Sequence, residues 1–247
     1  PTWSGDVALF TAVTGELNSQ NTGANTYYLS TPSTTALNAQ WDFYFNMMFA
    51  TSGANYVDVY LISDVADVTN PNNGYFVRIG GTPDEVSLYK ITAGSPSILI
   101  DGPDGSINSS SNNPFNVRVT RDIANNWTLE YDDGVLGPYT NVGSVVDNSF
   151  TTSAFFGIVI TQSSAASPVN NHFFDNISVG AIVGDTTAPT VDSVIVVNST
   201  NLDVYFNEPV DLTTSQTLTN YSADGGLGNP TNAQRDALDS SIVHLTF

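Results

Sequence analysis

The chain has 247 residues and no cysteine, and its 24 acids against five Lys and Arg give a formal net charge of −19 at pH 7. So few cations cannot displace the counterions of a polyanion, which excludes nucleic acid and anionic membrane as partners of this surface. Without cysteine, disulfides, zinc thiolate sites and a Cys nucleophile are excluded as well.

Hydrophobic residues make up 40% and aromatics 11%, ample for a core, while charged residues make up only 12%. Ser, Thr, Asn and Gly fill the difference, which suits short strands joined by turns. No apolar run approaches the ~20 residues of a membrane-spanning helix, so no membrane insertion is expected. Pro1-Thr2-Trp3 lacks signal-peptide character and reads as the interior of a longer chain, so an upstream segment is expected.

Residues 1–40 alternate turn clusters with short apolar runs at 7–10 and 27–29, and read as edge strands and loops. From 41 to 49 the pattern sharpens, with Trp41, Phe43, Phe45, Met47 and Phe49 on one face of a long core strand. Residues 55–90 carry the clearest signal. Val57, Val59 and Leu61, then Tyr75, Val77 and Ile79, then Val86 and Leu88 alternate with their neighbours, which predicts three strands with one buried face each. Gly74 and Gly80-Gly81 are expected to supply positive φ at the connections.

Residues 101–113 form a polar loop. Val117 and Val119, then Trp127, Leu129 and Tyr131, predict a hairpin with turns near 124–126 and at 132–134. Further strands are expected at 154–161 and 172–179. Apolar residues nowhere keep helical spacing over three turns, so no helix longer than a turn or two is expected.

The Gly184–Pro189 stretch (GDTTAP) is a polar punctuation, after which strand patterns restart. The organisation read here is a first sandwich over 1–182, a linker over 183–189, and a smaller immunoglobulin-type sandwich over 190–247. Its strands are expected at 194–197, 202–206, near Tyr221 and at 242–247. Such a fold usually takes ~100 residues, so this one is expected to be incomplete, with Val243, Leu245 and Phe247 on a bare strand edge.

The succession WSGD at 3–6, NYVDVYL at 55–61, NGYFVRIG at 73–80, VTRD and WTL at 119–129, and FFDNISV at 173–179 resembles laminin-G or concanavalin-like jelly-roll sandwiches. More narrowly it is similar to those of large secreted Bacteroidetes proteins. There, DTxxP and an Ig-like domain containing FxEPVD and then NY often follow, as do DTTAP at 185–189, FNEPVD at 206–211 and Asn220-Tyr221 here. The resemblance implies an all-β chain, an extracellular or outer-surface location, further domains on the same chain, and secretion by the type IX route beside lamin-tail domains. It brings no catalytic residues.

Concanavalin-like glycosidases carry paired carboxylates in Glu-x-Asp-x-x-Glu spacing. Glu16, Glu85, Glu130 and Glu208 do not have it, and Glu130-Tyr131-Asp132 lacks the second Glu. His172 and His244 read as structural or solvent-exposed rather than as a triad base. The resemblance also implies a structural Ca²⁺ near the first and last strands, with Asp175 in FFDNISV and Asp6 as its ligands. Asp101 and Asp104 in DGPDG are a second candidate pair, against ordinary turn chemistry. It further implies O-glycosylation at Asp-Ser/Thr motifs, here at Thr186 or Ser193.

A binding face has more support from the residues themselves. If the apolar residues point inward, Asp58, Tyr60, Phe76, Arg78, Tyr89, Arg118 and Glu130 point outward, where aromatic rings stack on sugars and Arg and Asp bind hydroxyls. The alternative is that Arg78 and Arg118 form cross-strand ion pairs with Asp58 and Glu130. The function read here is a non-catalytic adhesion, binding or spacer module of a larger secreted or cell-surface protein, with glycans or surface and secretion-machinery proteins as partners. The alternative is a carbohydrate-binding accessory of a secreted hydrolase.

Overall fold

In the computed structural model, which describes residues 2–135, 137–182 and 188–247, the alternating sequence becomes strand almost throughout. The chain divides into two units, Pro1–Val183 and Gly184–Phe247. The first begins with β1 (Ser4–Gly5), β2 (Phe10–Val13), β3 (Glu16–Ser19), β4 (Asn25–Pro32) and β5 (Ala39–Met47). Next come β6 (Tyr56–Ser63), β7 (Gly74–Gly80), β8 (Glu85–Thr92), β9 (Ser95–Ile100) and β10 (Pro114–Arg121). It ends with β11 (Asn126–Asp133), β12 (Thr140–Val146), β13 (Phe155–Gln162) and β14 (His172–Ala181).

These strands form two seven-stranded antiparallel sheets. One runs β1-β4-β13-β6-β7-β8-β9 and the other β12-β11-β10-β5-β14-β3-β2. Alternation decides which side chains meet between them. Trp41, Phe43, Phe45 and Met47 of β5, with Phe115, Val117, Trp127 and Leu129, join Val57, Val59, Tyr75, Val77 and Leu88 in one buried cluster. The rings stack in pairs, Trp41 on Trp127 at 5.6 Å and Phe45 on Phe115 at 5.3 Å. Burying each such side chain stabilises the fold by ~1.5–3 kcal/mol, and more for the tryptophans. Arg121 is buried at the margin of this core, its Nη1 donating to the carbonyls of Ala36 at 2.9 Å and Phe150 at 2.7 Å.

Several details differ from the alternation pattern. Residues 7–9 form a 3₁₀ turn, and residues 27–29 lie in β4, which is paired on both sides. Gly80 and Gly81 do have positive φ, at 88° and 84°. Gly74 does not; it is required because a Cβ there would stand 2.1 Å from the Ile62 carbonyl oxygen. The strands β6 and β7 are buried on both faces rather than one.

The second unit comprises β15 (Val191–Val196), β16 (Asn201–Phe206), the single-turn α1 (Leu212–Ser215), β17 (Asn232–Arg235) and β18 (Ile242–Thr246). Asp211 caps α1, accepting the Thr214 N–H at 2.8 Å. Among the described residues this unit has one sheet, ordered β15-β16-β18-β17. Two expectations are corrected. Tyr221 is not in a strand but follows a 3₁₀ turn at Leu218–Asn220, its hydroxyl donating to the Ser215 carbonyl at 2.7 Å. The 242–246 strand is internal, so Val243 and Leu245 are buried with Val204, Val210 and Ala233. The strand exposed along its whole length is β15, with Val194 at 51% and Val196 at 71% exposure.

Candidate functional site

Strand pairing of β6, β7 and β8 sets Asp58 opposite Arg78, Tyr60 opposite Phe76, and Phe76 opposite Tyr89 on the outer face of the sheet. Arg78 reaches across to Asp58. Its Nε donates to Oδ1 and its Nη2 to Oδ2, both at 2.8 Å. The guanidinium carbon lies 4.5 Å from the centre of the Tyr56 ring, 5.2 Å from that of Tyr89 and 5.4 Å from that of Phe76. A planar cation held between ring faces and a bidentate carboxylate has one orientation.

Burial disfavours the Arg78 charge, but the bonds and charge of Asp58 outweigh it and raise the Arg78 pKa. The Arg78 side chain is 25% exposed and that of Asp58 only 9%. The arginine therefore presents its outer edge at a shallow groove of about 220 Å³, also walled by Thr26, Thr69, Pro96 and Thr161.

Not every residue read as outward reaches this groove as a free surface. Tyr60 and Phe76 are buried, packed with Val68, Ile91 and Val159 in a second small core. Residues 64–73 fold back over the sheet and insert Val68. Gly157 makes room for it, since a Cβ there would stand 2.8 Å from a Val68 methyl. Tyr60 and Phe76 thus form the floor and the half-buried Tyr56 lines the groove, while the half-buried Tyr89 lies outside its lining and packs on Arg78 and Phe76. Tyr56 was not singled out from the sequence, although its two-residue spacing from Asp58 carries the signal.

Arg118 is not on this face. It lies in β10 of the other sheet, where Nε donates to Asp42 Oδ1 at 2.7 Å and the guanidinium sits 4.6 Å from the Tyr139 ring centre. The cross-strand register offers it both Asp42 and Glu130, and Asp42 takes the ion pair. The remaining cations are also engaged. Lys90 pairs with Asp147 at 2.5 Å, and Arg121 and Arg235 donate to backbone carbonyls.

Asp6 accepts the Tyr28 backbone N–H at 3.0 Å on the first sheet. Asp175 lies in β14 of the second sheet, opposite Tyr44, at a bulge that breaks the register between Asp175 and Ser178. It lines a cleft of about 570 Å³ with Trp3, Leu17, Phe156, Phe174 and Ile177. Among the described residues, no group of three or more His, Asp or Glu converges to hold a metal. Ser193 is exposed on β15, and Thr186 lies outside the described residues.

The two histidines are structural. His172 is fully buried, with Nδ1 3.0 Å from Ser19 Oγ and its ring edge-on to Phe49 at 4.8 Å. Burial pushes its pKa down to about 3, so it takes no proton near neutrality. His244 spends both ring nitrogens on carboxylates, Nδ1 2.6 Å from Asp203 and Nε2 3.0 Å from Asp236.

The first unit is thus a β-sandwich of two seven-stranded antiparallel sheets, of jelly-roll type. It is similar to the carbohydrate-binding module CBM66 from Bacillus subtilis, at 12% identity over 72% of this chain and 94% of that one, with a TM-score of 0.51. It is also similar to the exoplasmic/lumenal domain of VIP36 in its Ca²⁺/Man3GlcNAc-bound form, at 12% identity over 75% and 85% of the two chains, with a TM-score of 0.54. The Ca²⁺/Man-bound form of VIP36 matches at the same identity and TM-score, over 76% and 85%. No family model matches the chain, and no curated protein matches it in sequence.

Proposed function

We propose that the first unit is a non-catalytic carbohydrate-binding module that takes neutral glycans at the Arg78 groove. The observation that carries this reading is the Arg78–Asp58 pair, fixed between the rings of Tyr56 and Tyr89. A vicinal diol needs a donor and an acceptor side by side, and the apolar face of a sugar ring needs an aromatic wall beside them. The groove supplies both on a rigid sheet.

Charge selects against acidic sugars. Asp58 already neutralises Arg78, and the chain carries −19 overall, so an anionic ligand would meet repulsion without a free cation to offset it. The solved neighbours include a carbohydrate-binding module and a domain in a glycan-bound form, which supports a glycan as the ligand class. We place the module extracellularly or on the outer cell surface, as part of an adhesion or spacer region, on the strength of the sequence resemblance to secreted Bacteroidetes domains.

A glycan array probed with the full chain, followed by calorimetry on the best hit, tests this. Tyr56→Ala and Tyr89→Ala should each weaken binding by more than about tenfold while the melting temperature moves little. An array with no neutral hit, or binding unchanged in both variants, would overturn the proposal.

A further inference from the structure

The cleft of about 570 Å³ beside Asp175 opens along the edge where both sheets stop short. There β1 covers β4 only at Leu29 and Ser30, and β3 covers β14 only at Phe173 and Phe174. Among the described residues, no strand pairs with the outer side of β4 beyond Ser30 or of β14 beyond Phe174. Apolar side chains of the core therefore line the opening. Phe156 and Phe174 are buried there, and Leu17, Ile177 and Val179 are half-buried. Trp3 is half-buried beside them, its ring edge-on to that of Phe156 at 6.3 Å. None of the lining residues is shared with the Arg78 groove.

One ionisable group lines this cleft, the half-buried carboxylate of Asp175. Among the described residues it accepts no hydrogen bond and pairs with no cation. The five Lys and Arg are engaged elsewhere, three on other aspartates and two on backbone carbonyls. A half-buried charge against an apolar wall is incompletely hydrated, and an opposite charge beside it is less screened than in water. The backbone is shaped at the same place. A bulge breaks the register between Asp175 and Ser178, and Asn176 within it has a φ of 51°, in the left-handed region. Bulges re-aim side chains at sheet edges, and backbone held in sparse regions collects at ligand sites.

An apolar cleft with one free negative charge and no cation selects its ligand by charge and shape together. We infer that it binds a small aromatic amine, the ammonium on Asp175 and the ring against Trp3 and Phe156. A charge-assisted bond to the carboxylate holds the head, and a further ring packs edge-on or offset among the aromatic side chains. The cleft has the size of sites that enclose compact ligands. An anion of the same shape meets Asp175 and an overall charge of −19 with no free cation to offset them, whereas that charge draws a cation in. A neutral alcohol keeps the ring contacts and loses the ion pair.

The experiment is a nuclear magnetic resonance titration of the full chain, at ~0.15 M salt, with tryptamine, tryptophol and indole-3-acetate. These carry one ring system with a positive, a neutral and a negative head. The Trp3 indole N–H signal, identified by its loss in Trp3→Phe, reports the cleft. Tryptamine is expected to bind with a Kd below about 10 mM, at least about fivefold tighter than tryptophol, and indole-3-acetate to leave the signal unmoved. Asp175→Asn should weaken tryptamine to the level of tryptophol and leave tryptophol unchanged. The three ligands test the charge preference on the wild type alone, so the outcome stands even if the variant fails to fold. Three results would overturn the inference: no ligand moves the Trp3 signal, indole-3-acetate binds as well as tryptamine, or Asp175→Asn keeps the preference for tryptamine.

Discussion

Arg78 and Asp58 meet side-on across neighbouring strands, two hydrogen bonds of 2.8 Å joining guanidinium to carboxylate. Because Asp58 is nearly sealed from water, replacing Arg78 by Met strands a charge in the sheet. Breaking a fully buried pair costs ~3–5 kcal/mol, and the 25% exposure of Arg78 reduces the expected loss here to ~2–3 kcal/mol. The double variant Asp58→Leu/Arg78→Met should recover at least half of that, since no unpaired charge remains. Urea unfolding of both variants checks this. A double variant no more stable than Arg78→Met counts against the charge account.

His172 gives the fold a mild-acid sensitivity. In the folded state its pKa is about 3, against ~6.5 when unfolded, so between these values the unfolded chain binds a proton that the native one refuses. The His172 contribution is complete above about pH 6.5 and declines as pH falls toward 3, by up to ~1.4 kcal/mol per pH unit. His172→Asn should lower stability at neutral pH yet flatten this dependence. Parallel curves of denaturation midpoint against pH for the two proteins would exclude His172 as the source.

Asp147 governs a lower window. Burial opposes its charge, but Lys90 at 2.5 Å, the Tyr75 hydroxyl and Ser149 together outweigh it and hold the carboxyl at about 2. Its unfolded value is ~3.9, so the stability it confers is present above about pH 4 and lost as pH falls to 2. Asp147→Asn should cost ~2 kcal/mol at pH 5 and much less at pH 2. An equal loss at both would show that the residue acts through packing alone.

In the second unit, Val243 is fully buried while Val196 is 71% exposed. Val243→Ala should therefore cost ~2–3 kcal/mol, and Val196→Ala should stay within about 0.5 kcal/mol. Equilibrium unfolding of the full chain, followed by a probe in this unit, measures both. A large loss at Val196 would mean that β15 is covered in solution.

The strand content, the all-β class and the inward set from Trp41 to Met47 were legible in the sequence, because a two-residue period leaves a strand only one way to bury its apolar face. The same rule correctly grouped Asp58, Arg78 and Tyr89 on one face. It could not say what covers that face. Tyr60 and Phe76 are buried by Val68, which arrives from a loop with no periodicity to read. Nor could it assign strands to sheets, so Arg118 read as a neighbour of Arg78 although it belongs to the opposite sheet and pairs with Asp42. The position of the 242–246 strand between β16 and β17 is a similar case, decided by pairing between segments distant in sequence. Composition and local alternation reflect the interactions of each residue with its near neighbours, so the sequence by itself determined the elements and their faces. Which strands pair, and which loop covers the outer face at Tyr60 and Phe76, depend on contacts between distant segments, and only the tertiary structure decided those.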